Sequence, residues 1–405
     1  MDRKIFFVLT GLFLGVYLLS AGLSYAAFTI IKPFPNLPVI QSPIAKNTDN
    51  TKSKFKYDPT LPRTEECPLN GAMYSKPQKE AWSQRRPMGI MIENSKAARP
   101  QSGLSSADIV YEAEAEGGIT RFMGVFYCQD ADFVGPIRSA RTYYLDYISE
   151  YGQSPLYVHV GGANTPGPAN ALGQIESYGW GGYNDINQFS VGFPTFWRDY
   201  DRIKDAATEH TMYSTTDKLW SYAAQKRQLT NTETDNRTGK TTAWDAGFVK
   251  WAFKNDVDLA SRPQASSVTF SLSNIQASYA DDYVVNWKYD RDSNSYLRFN
   301  GGVPHLDLDT NSQLLAKNVV LIYTTLTVAN DGYNEEGHGT HMLYGTKGSG
   351  KAQFLIDGKI IDGTWQKKNR LSRTLFFDLK GNPIQFNRGQ IWIELLPLGT
   401  QISAK

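Results

Sequence analysis

The chain has 405 residues, with 42 Lys and Arg against 40 Asp and Glu and a formal net charge of +2. That balance excludes an electrostatic nucleic-acid binder. A mean hydropathy of −0.42 describes a water-soluble body, and the length allows two or three domains.

The first element in chain order, residues 1–31, reads as a transmembrane anchor or signal. Ile5 to Ile31 carries no charged residue and is longer than the roughly 20 residues that cross a bilayer. Arg3 and Lys4 precede it, which keeps the start in the cytoplasm and sends everything after Lys32 outside. A cleavable signal ending near Ser24-Tyr25-Ala26 is the alternative. Residues 32–76 are rich in proline and small polar residues and read as an extracytoplasmic linker.

Residues 77–227 read as an α/β domain with a mixed sheet. "PMGIMIEN" (87–94), "ADIVYEAEAE" (107–116) and "ITRFMGVFY" (119–127) have strand character. "SARTYYLDYISEYG" (139–152) predicts a helix capped by Ser139 and stopped by Gly152. "PLYVHVGG" (155–162) reads as a buried strand leaving into a glycine-rich loop, followed by another helix. Residues 228–265 form a polar connection ending in a short aromatic helix, "AWDAGFVKWAF". From 266 to 400 short runs separated by Asp, Gly and Asn turns predict a β-rich domain, a sandwich or open barrel.

Two cysteines, Cys67 and Cys128, are too few and too far apart for a multi-cysteine zinc site. Outside the cell they are expected to oxidise, adding on the order of 4 kcal/mol. Two buried thiols are the alternative.

The stretch "YEAEAEGGITRF" (111–122) carries the most chemistry. On a strand, Glu112, Glu114 and Glu116 share one face and the alanines the other. A turn at Gly117-Gly118 sets Glu114 across from Arg121 and Glu112 across from Met123, while the small alanines admit a helix. Two carboxylates about 7 Å apart also match the separation in an inverting glycosidase. The plainer reading is a solvated acidic face neutralised by Arg121.

Arg138 and Arg141, at the start of the predicted helix, can hold a carboxylate or phosphate, or can partner the glutamates. His159 ends an apolar strand, where ligands of open α/β sheets lie, yet core histidines also occupy such places. His210 is a further candidate. His305 and Asp307 could share a metal or proton, or serve a hydrogen-bonded turn, and "HGTH" (338–341) is a weak metal motif. "GTKGSGKA" (345–352) only approximates a phosphate loop, because Ala352 stands where Ser or Thr must hold magnesium and a strand follows. No metal or cofactor signature is found, and no HExxH or GxSxG.

These stretches, "RPMGIMIENSKAARPQSGLSSADIVYEAEAEGGITRFMGVFY", "VGPIRSARTYYLDYISEYG" and "VHVGG", followed by "YLRFNGGVPHLDLDTNSQLLAKNVVLIY" and "GQIWIELLP", resemble the DUF3048 family, the YerB-type bacterial lipoproteins. The resemblance implies a two-domain protein held outside a bacterial membrane. Its recurring polar positions are Asn94, Gln101, Asp108, Glu112, Glu116, Thr120, Arg121, Arg138, Ser139, Arg141, His159, His210, His305 and Asp307. This chain departs from the lipoproteins in having no cysteine near Leu19 to Ala27, so a membrane helix stands in for the lipid. Glu114 stands where the family places an apolar residue, which weakens a Glu112–Glu114 dyad.

Together these features predict an envelope protein whose pocket, lined by Asn94, Asp108, Glu112, Glu116, Arg121, Arg138, Arg141 and His159, recognises an anionic cell-wall glycan or peptide. In a hydrolytic version Glu112 or Glu116 is the acid, with His159 beside them, and the arginines hold substrate carboxylates. The alternative is a non-catalytic scaffold or regulator that binds a wall-synthesis protein.

Overall fold

The computed structural model describes residues 60–405 apart from 236, 274–276 and 334–338. The expected membrane segment and most of the linker lie outside these residues, as does His338. No helix among the described residues is long and apolar enough to cross a membrane.

The N-terminal half contributes β1 (Met88–Glu93), β2 (Ile109–Glu116), β3 (Ile119–Phe126), α1 (Thr142–Ile148), β4 (Leu156–His159), α2 (Ala171–Ser177), β5 (Asp185–Asn187) and α3 (Thr216–Arg227). The C-terminal half adds β6 (Ser267–Ser271), β7 (Val284–Asp290), β8 (Ser295–Asn300), β9 (Asn318–Thr324), β10 (Gly348–Ile356), β11 (Lys359–Lys367), β12 (Leu375–Asp378) and β13 (Ile391–Pro397). The near phosphate-loop motif runs into β10, a strand, so no helix N-terminus follows it.

The two halves do not build separate sheets. One ten-stranded mixed sheet runs β12-β11-β10-β9-β13-β2-β3-β1-β4-β5. β13, near the end of the chain, lies parallel to both β9 and β2 and joins the halves. Every residue of "IWIELLP" is buried, as an apolar run covered on both sheet faces should be. A smaller sheet, centred on β6, β7 and β8, packs through Val268, Phe270, Val285 and Trp287 onto Val319, Leu321, Trp392 and Leu396 of the large one. The expected β-rich domain is thus a sandwich layer in part and a sheet extension in part. Its strands needed the neighbours that the first half supplies.

α1 covers the other face. Tyr143, Tyr144, Tyr147 and Ile148 lie in one core with Tyr111, Ala113 and Met123, and Tyr111 stacks on Tyr147 at 4.9 Å. The small side chain of Ala113 does admit the helix. Its N-cap is Arg141 and not Ser139, and no side chain bonds the free N–H groups there. The helix expected at 243–253 does not form. Trp244 and Trp251 are buried, and Ala252–Lys254 pairs in parallel with Gln385–Asn387. The need to bury two indoles against the body outweighed the local helical spacing.

Gly117 and Gly118 form the predicted turn, with φ of +56° and +81°, values that favour glycine. The register beyond it differs from the prediction. Ala113 pairs with Arg121 and Glu112 with Phe122, because a bulge falls between Glu114 and Glu116. Cys67 and Cys128 are joined in a disulfide with their Cα atoms 6.0 Å apart.

Candidate functional site

The strand bulge splits the expected pocket into two clusters on opposite sides of the sheet. Side chains alternate along a strand, so Glu93, Arg121 and Ala113, which are paired across β1, β3 and β2, share the α1 face. The extra residue brings Glu116 round to the same face. Asn94, Glu112 and Thr120 fall on the other.

On the α1 side, Glu116 forms ion pairs with Arg141 and, at 3.5 Å, with Arg121. Glu93 accepts from His210 at 2.8 Å and lies 3.2 Å from Nε of Arg138. Arg121 also donates to the Ser139 carbonyl at 3.3 Å, which ties the two carboxylates into one patch. Burial pushes Glu93 up, but the His210 bond and the Arg138 charge outweigh it, so its carboxyl sits below the usual value. The Glu93 bond is also the main reason that the His210 imidazole is raised above 6.5. Both shifts favour the charged pair. Three guanidiniums and a favoured imidazolium therefore face two carboxylates. The Nε groups of Arg121 and Arg141 make no hydrogen bond among the described residues, while that of Arg138 faces Glu93. Such buried, unpaired donors cost stability unless something accepts from them.

The patch opens onto a cleft of about 740 Å³ lined by Arg138, Ser139, Gly161, Asn187, Phe189 and Arg198 among others. β1, β4 and β5 run parallel, so Glu93, His159 and Asn187 mark their carboxyl ends, where open α/β sheets bind ligands. Gly162 lets the loop after β4 press on the chain; a Cβ there would sit 3.0 Å from that of Ala140. Phe189, 76% exposed, leaves a bare ring at the mouth.

Four expected pocket residues lie elsewhere. Glu112 is fully buried and accepts from Arg298 at 2.6 Å, from Thr120 at 2.6 Å and from Asn94 at 3.3 Å. Arg298 also donates to Glu394 at 3.1 Å and to His305 Nδ1 at 3.0 Å, while Trp287, Phe122 and Trp392 surround its guanidinium. Burial, with Glu112 alongside, holds Glu394 well above the usual carboxyl range. Burial and the Arg298 charge hold His305 far below the usual imidazole value, so the ring is neutral. It accepts on Nδ1 and donates from Nε2 to Gln101 at 2.7 Å. This lattice fastens the halves together, with Glu112, Arg298 and Glu394 fully buried among the described residues.

Asp108 is buried beside the disulfide, where Tyr127 N, Cys128 N and Asn70 donate to it at 2.7, 2.9 and 3.0 Å. Burial raises its carboxyl to about 7. The group formed by Cys67, Asp108 and Cys128 cannot ligate a metal through sulfur, because both thiols are spent in the disulfide. His159 is buried under the cleft floor, with Nε2 and Nδ1 each 2.6 Å from an acceptor, on Asp185 and Gly161 respectively. It orders the glycine loop and does not reach the opening. Asp307 accepts from Gly103, Ser105 and Asp309 N–H groups, apart from His305, and so serves a turn.

Glu93 was not anticipated from the sequence, although a single acid ending the apolar run "MGIMIE" is a signal. Arg298 and Glu394 left the same kind of trace, as opposite charges inside otherwise buried strands.

Residues 74–230 match the N-terminal domain, and residues 275–393 the C-terminal domain, of "Protein of unknown function (DUF3048)". The chain is 28% identical over 316 residues to a Bacillus subtilis (strain 168) protein named "Putative lipoprotein YerB", a span covering 78% of this chain and 82% of that one. The crystal structure of YerB from Bacillus subtilis has the same fold. Its TM-score is 0.63 at 24% identity, covering 84% of this chain and 100% of that one.

Proposed function

Because the chain belongs to the DUF3048 family, with both of its domains, we propose that it is a membrane-anchored, extracytoplasmic envelope protein of a bacterium. Its cleft binds carboxylate- or phosphate-bearing groups of a cell-wall glycan. The observation that carries this reading is that Arg138 and Arg198, beside Glu209, line the cleft at the carboxyl ends of three parallel strands, with Arg121 and Arg141 buried close behind. Guanidinium forks suit planar anions. The exposed ring of Phe189 favours a glycan over a peptide, because it offers a flat apolar surface for a sugar face.

The function is recognition without turnover. Glu112 is enclosed in the lattice with Arg298, and Glu116 is taken up by two arginines, so neither carboxyl is placed to protonate a leaving group. The test is to incubate the purified full chain with cell-wall fragments, then measure co-sedimentation and look for products by mass spectrometry. We expect sedimentation with anionic fragments and no new products. Released products would make it an enzyme. Capture of a wall-synthesis protein with no affinity for wall material would make it a scaffold.

A further inference from the structure

A second pocket lies away from the cleft, at the junction of three chain segments. Its walls come from Ser149, Glu150, the 152–155 turn and Trp180 in the first half, from residues 246–249 in the connection, and from Arg370, Leu371 and Arg373 in the second half. Its volume is about 210 Å³, below the roughly 300–1,000 Å³ of sites for drug-sized molecules, so it admits only a small group.

The charge at its base is unbalanced. Glu150 is fully buried and already accepts from Lys367 at 2.7 Å, Arg373 at 2.8 Å, Thr374 N at 2.9 Å, the Thr374 hydroxyl at 2.7 Å and Tyr111 at 2.9 Å. That carboxylate answers one of three cations, since Arg370 is adjacent and donates to the Ser149 hydroxyl at 2.8 Å instead. The Arg373 side chain is 2% exposed. Its guanidinium serves Glu150 and also bonds the Tyr151 hydroxyl, yet Nε and Nη2 are left short of a well-placed acceptor among the described residues. Aromatic rings fix both guanidiniums in place. Trp251 and Tyr151 lie 3.7 and 4.4 Å from Arg373, and Tyr178 lies 3.9 Å from Arg370. A buried guanidinium that shares its one carboxylate with Lys367 and keeps donors over in a small pocket suits a second acceptor that carries negative charge.

We propose that this pocket binds a carboxylate on a group about the size of one amino acid. The anion accepts from Arg373 and Arg370, and its apolar body lies against Trp180 and Phe248. All three chain segments contribute, so the site exists only in the assembled protein.

The test is calorimetry on the full chain with N-acetylalanine and, separately, with its amide, which has the same body without the charge. Saturable binding of the carboxylate at least tenfold tighter than the amide is expected. Arg370→Gln, which removes a half-exposed cation and leaves the Glu150 cluster intact, should weaken carboxylate binding tenfold or more without lowering Tm. Arg373→Met should abolish binding, but its fold must be checked first because Glu150 loses a partner. Arg138→Gln, in the cleft, should leave this binding unchanged, which separates the two sites. No saturable heat, equal binding of acid and amide, or full affinity in Arg370→Gln would overturn the proposal.

Discussion

Arg138 is the residue on which the cleft depends most openly. Among the described residues its ion pair is with Glu93, and at 28% exposure it presents the rest of its guanidinium to the opening. Arg138→Gln should weaken binding to anionic wall fragments about tenfold, or about 1.4 kcal/mol, with little change in Tm; titration with labelled fragments reads this. His210 adds a pH dependence. Its folded-state value is raised, so its charge is present below the ordinary 6.5 and is lost as pH rises through the higher folded value. Affinity should therefore fall as pH climbs through that raised value, and His210→Gln should flatten the profile. Asp108 plays a structural part. Asp108→Ala leaves two backbone N–H groups and the Asn70 amide without an acceptor, and should cost about 3 kcal/mol in chemical denaturation.

At the scale of elements, the hairpin of β2 and β3 decides which acids can cooperate. The turn at the double glycine and the strands on either side were legible in the sequence, because alternation and φ-permissive residues are local signals. The bulge was not, since nothing in "EAEAEGG" distinguishes a straight ladder from one with an extra residue. One missed residue moved Glu116 to the arginines and left Glu112 on the far side with Arg298. The helix at 142–148 was legible through its tyrosine spacing. The expected helix at 243–253 had a similar aromatic rhythm but ended as turns and a short strand, because Trp244 and Trp251 are claimed by two parts of the core. Close packing under α1 gives a check. Ala113→Leu pushes a larger side chain into the layer between β2 and α1 and should destabilise by about 2 kcal/mol, measured as a drop in Tm.

At the scale of the whole molecule, the two family domains share one continuous sheet, which the sequence did not show. Strand patterns report which residues are buried, but not which distant strand lies beside them. β13 therefore looked like the last strand of a second domain, while it sits parallel to β2. The Glu112–Arg298–Glu394 lattice crosses the same seam. Removing one partner of such a buried pair typically costs about 3–5 kcal/mol, so Arg298→Met should lower stability by that order, and the wild-type halves should unfold in a single transition. Two separate calorimetric transitions would show that the shared sheet does not couple them.

The claim that matters most is that the cleft at the carboxyl ends reads negative charge. The direct measurement is the affinity of the full chain for one wall glycan prepared with its carboxylates free and with them amidated, for wild type and for Arg138→Gln. Wild type should bind the free acid at least tenfold more tightly, and the variant should lose most of this preference. Equal affinity of wild type for the acid and the amide would contradict it.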